Sequence, residues 1–196
     1  MTTLLVIRHG ITTWNVEGRI QGQSDIALSD EARRSIPGWR LPAQAASGQW
    51  LTSPLNRARE TAALLGHADA RIDQRLQEMN WGDWEGQRLE DLRRELGEAM
   101  TRHEALGLDL RPPGGESPRD LQARVAPLLN ELASDKGPFT AVTHKGIIRA
   151  LYALAVGWDM TGKPPVKLHK GCCHLFRLSS DGQPEVERLN IPLISE

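Results

Sequence analysis

Cysteine is nearly missing from this chain: its 196 residues hold only Cys172 and Cys173, which are adjacent. Two neighbouring cysteines frame no disulfide scaffold, and no Cys-x-x-Cys pair occurs, so a stapled secreted fold and a dithiol redox motif both lack their residues. Excess charge of either sign is also absent. Lys plus Arg number 24 and Asp plus Glu 25, for a formal net charge of -1. Such a balance provides no broad positive field for nucleic-acid phosphates, and there is no acidic tail. Long apolar runs are missing as well. Leu4-Leu5-Val6-Ile7 is too short for a secretory signal, and no stretch approaches the ~20 apolar residues of a bilayer span. Internal repeats and low-complexity tracts are not found. These absences predict one cytoplasmic domain over residues 1–196 with no membrane or nucleic-acid partner, in which any anion site must be built locally. They leave the oligomeric state open.

The residues present alternate between strand and helix signals. Leu4–Ile7, Trp50–Thr52 and Phe139–Thr143 read as short buried strands. Leu175–Leu178 runs into Ser179-Ser180-Asp181-Gly182, a hairpin signal that returns through Glu185–Leu189. Helical patterns fall between them at Asn56–Leu65, at Leu89–Ala105 and at Ile147–Val156. The clearest helix starts at Ser117, an N-cap followed by Pro118 and answered by Asp120. Pro127 lies within that pattern and predicts a kink. Unbroken apolar strands alternating with helices predict an α/β fold with a mostly parallel sheet covered on both faces.

In such sheets ligands gather at the carboxyl ends of the strands. Arg8-His9 follows the first strand, Ser53-Pro54 with Arg57 the second, and His144 the third. Arg8, His9, Arg57 and His144 are therefore predicted to meet at one rim. Two guanidinium groups and two imidazoles suit a tetrahedral phosphate dianion. A neutral imidazole is also a nucleophile toward phosphorus, and fixed donors stabilise the charge that develops there. Glu78, flanked by Trp81 and Trp84, is the candidate proton donor for a leaving oxygen. Burial would raise its pKa and the arginines would lower it, a balance the sequence leaves open. The plainer alternative for Glu78, as for Asp83 and Glu85, is a surface carboxylate. His67, His103, His169, His174 and the cysteines read as structural or solvated.

Taken in order, Arg8-His9-Gly10, Asn15, Ser53-Pro54-Leu55 with Arg57-Ala58 and Thr61-Ala62, Glu78 to Gly86, and Thr143-His144 resemble the histidine phosphatase superfamily, in its phosphoglycerate mutase-like branch. The resemblance implies a three-layer α/β/α sandwich and an enzyme that needs neither metal nor other cofactor. It implies that His9 becomes phosphorylated, that Arg8, Arg57 and His144 hold the transferring group, and that Glu78 is the proton donor. Thr12, Asn15, Gln21 and Gly22 fall where the family contacts phosphate or substrate. Residues 87–116 would form a cap over the site. The segment Met79 to Gly86 and the run Pro112 to Ser117 look like the phosphatase branch, alpha-ribazole phosphatase-like enzymes above all.

Three departures stand out: Ile11 replaces a common acidic residue, Lys145 replaces a small residue after His144, and Pro37, Gly38 and Pro42 interrupt a usual helix. Lys145 is either a solvated lysine or an extra cation for an acidic substrate. The reading is thus a phosphatase of a small phosphorylated metabolite. Its rivals are a phosphoglycerate mutase-type phosphoryl transfer, disfavoured by chain length, and a non-catalytic module binding a phosphoprotein or phosphometabolite, which would need no proton donor.

Overall fold

The computed structural model describes residues 2–45, 48–135 and 137–193. Its elements in chain order are β1 (Thr2–Arg8), α1 (Thr13–Glu17), α2 (Asp30–Ser35), β2 (Gln49–Thr52), α3 (Asn56–Leu64), β3 (Arg71–Ile72), α4 (Leu89–Leu96), α5 (Glu98–Glu104), α6 (Pro118–Asp135), β4 (Pro138–Thr143), α7 (Lys145–Val156), β5 (Cys172–Leu178) and β6 (Pro184–Pro192). The six strands form one sheet in the order β3-β2-β4-β1-β5-β6. β1, β2, β3 and β4 pair in parallel, whereas β5 is antiparallel to both β1 and β6. Only β5 therefore runs against the rest, and the mostly parallel sheet read from sequence is a mixed one at this edge.

The apolar run of β1 is explained by burial on both faces. Leu4 and Val6 join Leu51, Phe139 and Ala141 beneath α6 and α7, which contribute Leu121, Val125, Leu128, Ile147 and Leu151. Leu5 and Ile7 point the other way, into a second cluster with Trp50, Val142, Cys173 and Ala58 and Ala62 of α3. The result is the three-layer α/β/α sandwich. α6 opens with the Ser117–Asp120 capping box: the Ser117 amide donates to Asp120 (2.8 Å) and the Asp120 amide to the Ser117 hydroxyl (3.2 Å). It continues through Pro127 to Asp135 as one element.

One element was not foreseen and one expectation needs correction. The short edge strand β3 was not legible, because two exposed residues carry no alternation. The single helix over Leu89–Ala105 is two helices, broken at Gly97, where φ is 50° and ψ is -123°. That conformation is open to glycine and strained for any residue with a Cβ. The break turns the excursion back on itself, so that Leu92 and Met100 pack with Trp84 in a small cluster of their own. Of the interrupted segment between Ser35 and Gly48, residues 46 and 47 lie outside the described residues.

Since a Cβ on Gly97 would meet nothing within 4 Å, the cost of Gly97→Ala is backbone strain alone. It should lower stability by about 1–3 kcal/mol, read as a reduced urea midpoint with an unchanged slope.

Candidate active site

Three backbone hydrogen bonds assemble the rim. The His9 amide donates to the Thr143 carbonyl (2.9 Å), the Ser53 amide to Val142 (3.0 Å) and the Asp73 amide to Thr52 (2.9 Å). The tips of β1, β2 and β4 are thereby held level, and the Thr143 hydroxyl donates to the Leu76 carbonyl (2.9 Å), fixing the segment that carries Glu78. The predicted residues do converge. The rings of His9 and His144 lie 5.1 Å apart, and His9, Arg57, Glu78 and His144 are all buried.

The tautomer of His9 is set by its neighbour. Nδ1 lies 2.7 Å from the Gly10 carbonyl, which can only accept, so Nδ1 carries the proton and Nε2 keeps its lone pair. Burial, then the charges of Arg8 and Arg57, hold the His9 pKa well below 6.5, so the ring stays neutral. His144 is depressed in the same way by burial, with His9 and Arg57 adding to it. Its Nε2 sits 2.7 Å from the Ser53 hydroxyl, which itself accepts from the Leu55 amide (3.3 Å). Donation by the Ser53 hydroxyl to Nε2 would leave the single proton of His144 on Nδ1.

That Nδ1 is buried without a protein partner, and so are Nε of Arg8, Nε of Arg57 and Nε2 of Gln21. Buried donors are ordinarily paired. Four left unpaired in one place describe a cradle for an anion's oxygens. Arg57 spends its other nitrogens on the backbone, donating to the carbonyls of Gly22 (2.6 Å) and Ser24 (2.8 Å). Burial lowers its pKa to about 10, opposed by Glu78 and Asp25. The carboxyl of Glu78 accepts from the amides of Met79 (2.8 Å) and Gly146 (3.1 Å). Burial nevertheless prevails over those bonds and over Arg57 and Arg8, and its pKa is raised. The balance left open by the sequence falls on the side of a raised pKa.

The remaining predicted residues take supporting positions. The side chain of Thr12 donates to Gln21 Oε1 (3.0 Å), as does the Asn15 amide group (3.1 Å), so the three form one knot whose spare donor is the Gln21 amide. Gly22 faces protein: a Cβ there would fall 2.0 Å from the Glu85 carboxylate. Lys145 begins α7 and is exposed beside the pocket. Trp84 is buried, and Trp81 is half-buried beside it.

Comparison with known proteins decides the family. The profile of the histidine phosphatase superfamily (branch 1) matches residues 4–192. The chain belongs to the histidine phosphatase superfamily. It is 34% identical over 200 residues to a 2,3-bisphosphoglycerate-dependent phosphoglycerate mutase of Azorhizobium caulinodans, covering 94% of this chain and 96% of the relative. It is also 34% identical over 177 residues to a glucosyl-3-phosphoglycerate phosphatase of Mycobacterium tuberculosis, covering 76% and 73%. The solved structure of a mycobacterial glucosyl-3-phosphoglycerate phosphatase with VO3 superposes with a TM-score of 0.76 at 29% identity, over 98% of this chain and 99% of that one. Bacillus stearothermophilus YhfR does so with 0.80 at 28%, over 100% and 98%. This histidine phosphatase is thus an enzyme of the phosphoric monoester hydrolase and mutase type. Because a mutase-named relative is matched nearly end to end, chain length does not argue against a mutase, contrary to the expectation from sequence.

One functional residue of this superfamily member escaped the sequence reading. Glu85, read as a surface carboxylate, is half-buried and accepts from the amides of Gln23 (2.7 Å), Ser24 (2.8 Å) and Trp81 (3.2 Å) and from the Ser24 hydroxyl. Burial raises its pKa, but these bonds outweigh it and the group is held below 4.5 as an anion. Glu85 therefore latches the loop whose carbonyls grip Arg57. Glu85→Ala should free that loop and weaken inorganic phosphate binding about tenfold, measured by calorimetry, and Glu85→Gln, which keeps one acceptor oxygen, should restore part of the loss.

Proposed function

We propose that this enzyme hydrolyses a small phosphomonoester through a phosphohistidine on His9. The observation that carries the reading is the fixed, neutral His9 beside four buried donors without protein partners. Nε2 of His9 attacks phosphorus, and the N–P bond forms as the P–O bond to the leaving group breaks. Arg8, Arg57 and Nδ1 of His144 hold the three equatorial oxygens, and the Gln21 amide, set by Thr12 and Asn15, supplies a further donor. Gly22 acts through its carbonyl on Arg57. Protonated Glu78 gives its proton to the departing oxygen. In the second half Glu78, now a carboxylate, takes a proton from water as that water attacks phosphorus, releasing inorganic phosphate and neutral His9. Positive charge comes from the arginines and the donors, so no step calls on a metal.

Residues 87–116 serve in this reading as a cap, with Trp81 and Trp84 as apolar walls. Leu92 and Met100 root the excursion beside Trp84, and the Leu108 amide ties it to the Asp159 carbonyl (2.8 Å). A small phosphorylated metabolite is the substrate class, and sugar phosphates, phosphoglycerates and alpha-ribazole phosphate are the compounds to screen. A cytoplasmic location fits the free thiols of Cys172 and Cys173, and among the described residues no helix is long and apolar enough to cross a membrane. A phosphoglycerate mutase is the second reading, favoured by the mutase-named relative of matching length. Incubation with 3-phosphoglycerate separates the two: free phosphate marks the phosphatase and the 2-isomer the mutase.

Two further outcomes test the chemistry. Label from a 32P-phosphomonoester should be trapped on the protein in an acid-labile, alkali-stable bond and should be lost in His9→Ala. The second outcome concerns pH. His9 must be neutral and its pKa is lowered, so the acid limb of kcat/KM lies well below 6.5. Glu78 must be protonated and its pKa is raised, so activity falls with rising pH through a value above 4.5. Glu78→Gln should lose that alkaline limb. It should also lose about 10²–10⁴-fold in kcat toward alkyl phosphates and markedly less toward p-nitrophenyl phosphate, whose leaving group departs without a proton.

A further inference from the structure

The run from Pro112 to Ser117, singled out in the sequence, lies against the segment that carries Glu78. The Asp83 amide donates to the Pro113 carbonyl (2.9 Å) and the Glu116 amide to the Asn80 carbonyl (2.8 Å). The two stretches approach so closely that a Cβ on Gly115 would fall 2.7 Å from the Asn80 carbonyl oxygen, and one on Gly82 2.1 Å from that of Pro113. Glu116 turns its side chain to the same segment, where Oε2 accepts from the Asn80 amide (3.1 Å).

That carboxylate also meets Arg124 of α6. Nε donates to Oε1 (2.9 Å) and Nη2 to Oε2 (3.0 Å). Nη1 donates to the carbonyls of Arg75 (2.8 Å) and Gln77 (3.0 Å), and Nη2 to that of Glu78 (3.3 Å). All five guanidinium donors are thus engaged within the protein, which leaves none for a ligand. The Leu76 carbonyl is taken by the Thr143 hydroxyl, so four consecutive carbonyls, from Arg75 to Glu78, accept from side chains. Glu78 itself lies outside every helix and strand. Its place therefore depends on these side chains rather than on a backbone ladder. Arg124 and Glu116 are only 24% and 14% exposed, and a planar two-point pair of this kind is rigid.

We propose that Arg124 and Glu116 are positioning residues for the proton donor. They hold the main chain of Glu78 so that its carboxyl reaches the leaving oxygen, and they serve departure of the leaving group without serving phosphate binding. The proposal rests on the reading of Glu78 given above and deepens it. It also gives the Pro112–Ser117 run a task at the acid, through Glu116.

The test compares phenyl phosphate with p-nitrophenyl phosphate. Phenolate is about as basic as a tyrosine side chain, with a pKa of about 10, and needs a proton to depart; p-nitrophenolate does not. The readout is the ratio of kcat/KM for the first ester to that for the second. Arg124→Met removes the fork and the charge. Arg124→Lys loses the fork but keeps the charge, which bears weakly on His144. Both should lower the ratio about tenfold and leave the Kd for inorganic phosphate, measured by calorimetry, unchanged. Glu116→Gln, which keeps one acceptor oxygen, should lower the ratio by a smaller factor. Added to Glu78→Gln, Arg124→Met should lower the ratio no further, because the carboxyl it acts through is already gone. Equal losses with both esters, a weakened phosphate Kd or a further fall in the Glu78→Gln background mark an ordinary structural pair and overturn the proposal. A ratio left unchanged by Arg124→Lys overturns it as well, since only charge would then matter. Arg124→Lys decides alone if Arg124→Met does not fold. If Glu78→Gln itself leaves the ratio unchanged, or the unmodified protein turns over neither ester, the reading of Glu78 as proton donor fails and the proposal falls with it.

Discussion

The parallel pairing of β1 with β4 is the constraint on which the site depends. It places Arg8 beside Thr143, and so brings Arg8-His9 to His144 from far along the chain. Register admits no partial error here, since a slip of one residue would exchange the two faces of β1 and turn Leu4 and Val6 out of their cluster. The same apolar side chains that hold the sheet between its helix layers therefore also hold two imidazole rings at a working distance. Packing and chemistry share one set of contacts.

That arrangement carries an electrostatic burden. Two guanidinium groups, two imidazoles and a carboxyl are withdrawn from water with few direct ion pairs among them, a costly situation unless charges are neutralised or hydrogen-bonded. The protein resolves it group by group. Burial pushes the pKa of both histidines down and that of Glu78 up, in each case toward the neutral form. Arg57 stays a cation held by two backbone carbonyls. Behind the Glu78 segment, Arg124 donates to the carbonyls of Arg75, Gln77 and Glu78 and pairs with Glu116, fixing the acid without touching its carboxyl.

Much of this was legible in the sequence, and the reasons differ by element. β1 and β4 announce themselves because both faces are buried, and α6 because Ser117, Pro118 and Asp120 are local signals with local partners. Arg8, His9, Arg57 and His144 of the candidate site were legible because each follows a strand end, whereas Glu78 was legible only from its flanking tryptophans and the family resemblance. The break at Gly97 was not, since a glycine within a charged helical pattern is either tolerated or decisive, and only tertiary packing of Leu92 and Met100 selects the break. Glu85 was illegible for another reason. Three of its four partners are backbone amides, two of them on a distant loop, and a backbone amide leaves no mark in a residue pattern. The direction of the Glu78 shift likewise needed burial, which composition does not report.

The reversed strand β5 gives the mouth of the pocket an unusual independence. Arg8, His9 and His144 of the candidate site lie at strand exits, within one residue of the sheet, so few changes there leave the sheet register intact. The segment from Gly157 to Gly171 instead enters the rim on its way into a strand, and most of it is exposed. Its length and charge are free to drift without disturbing the phosphoryl cradle. A lineage carrying this fold is thereby able to change what it recognises while the reaction it performs stays the same.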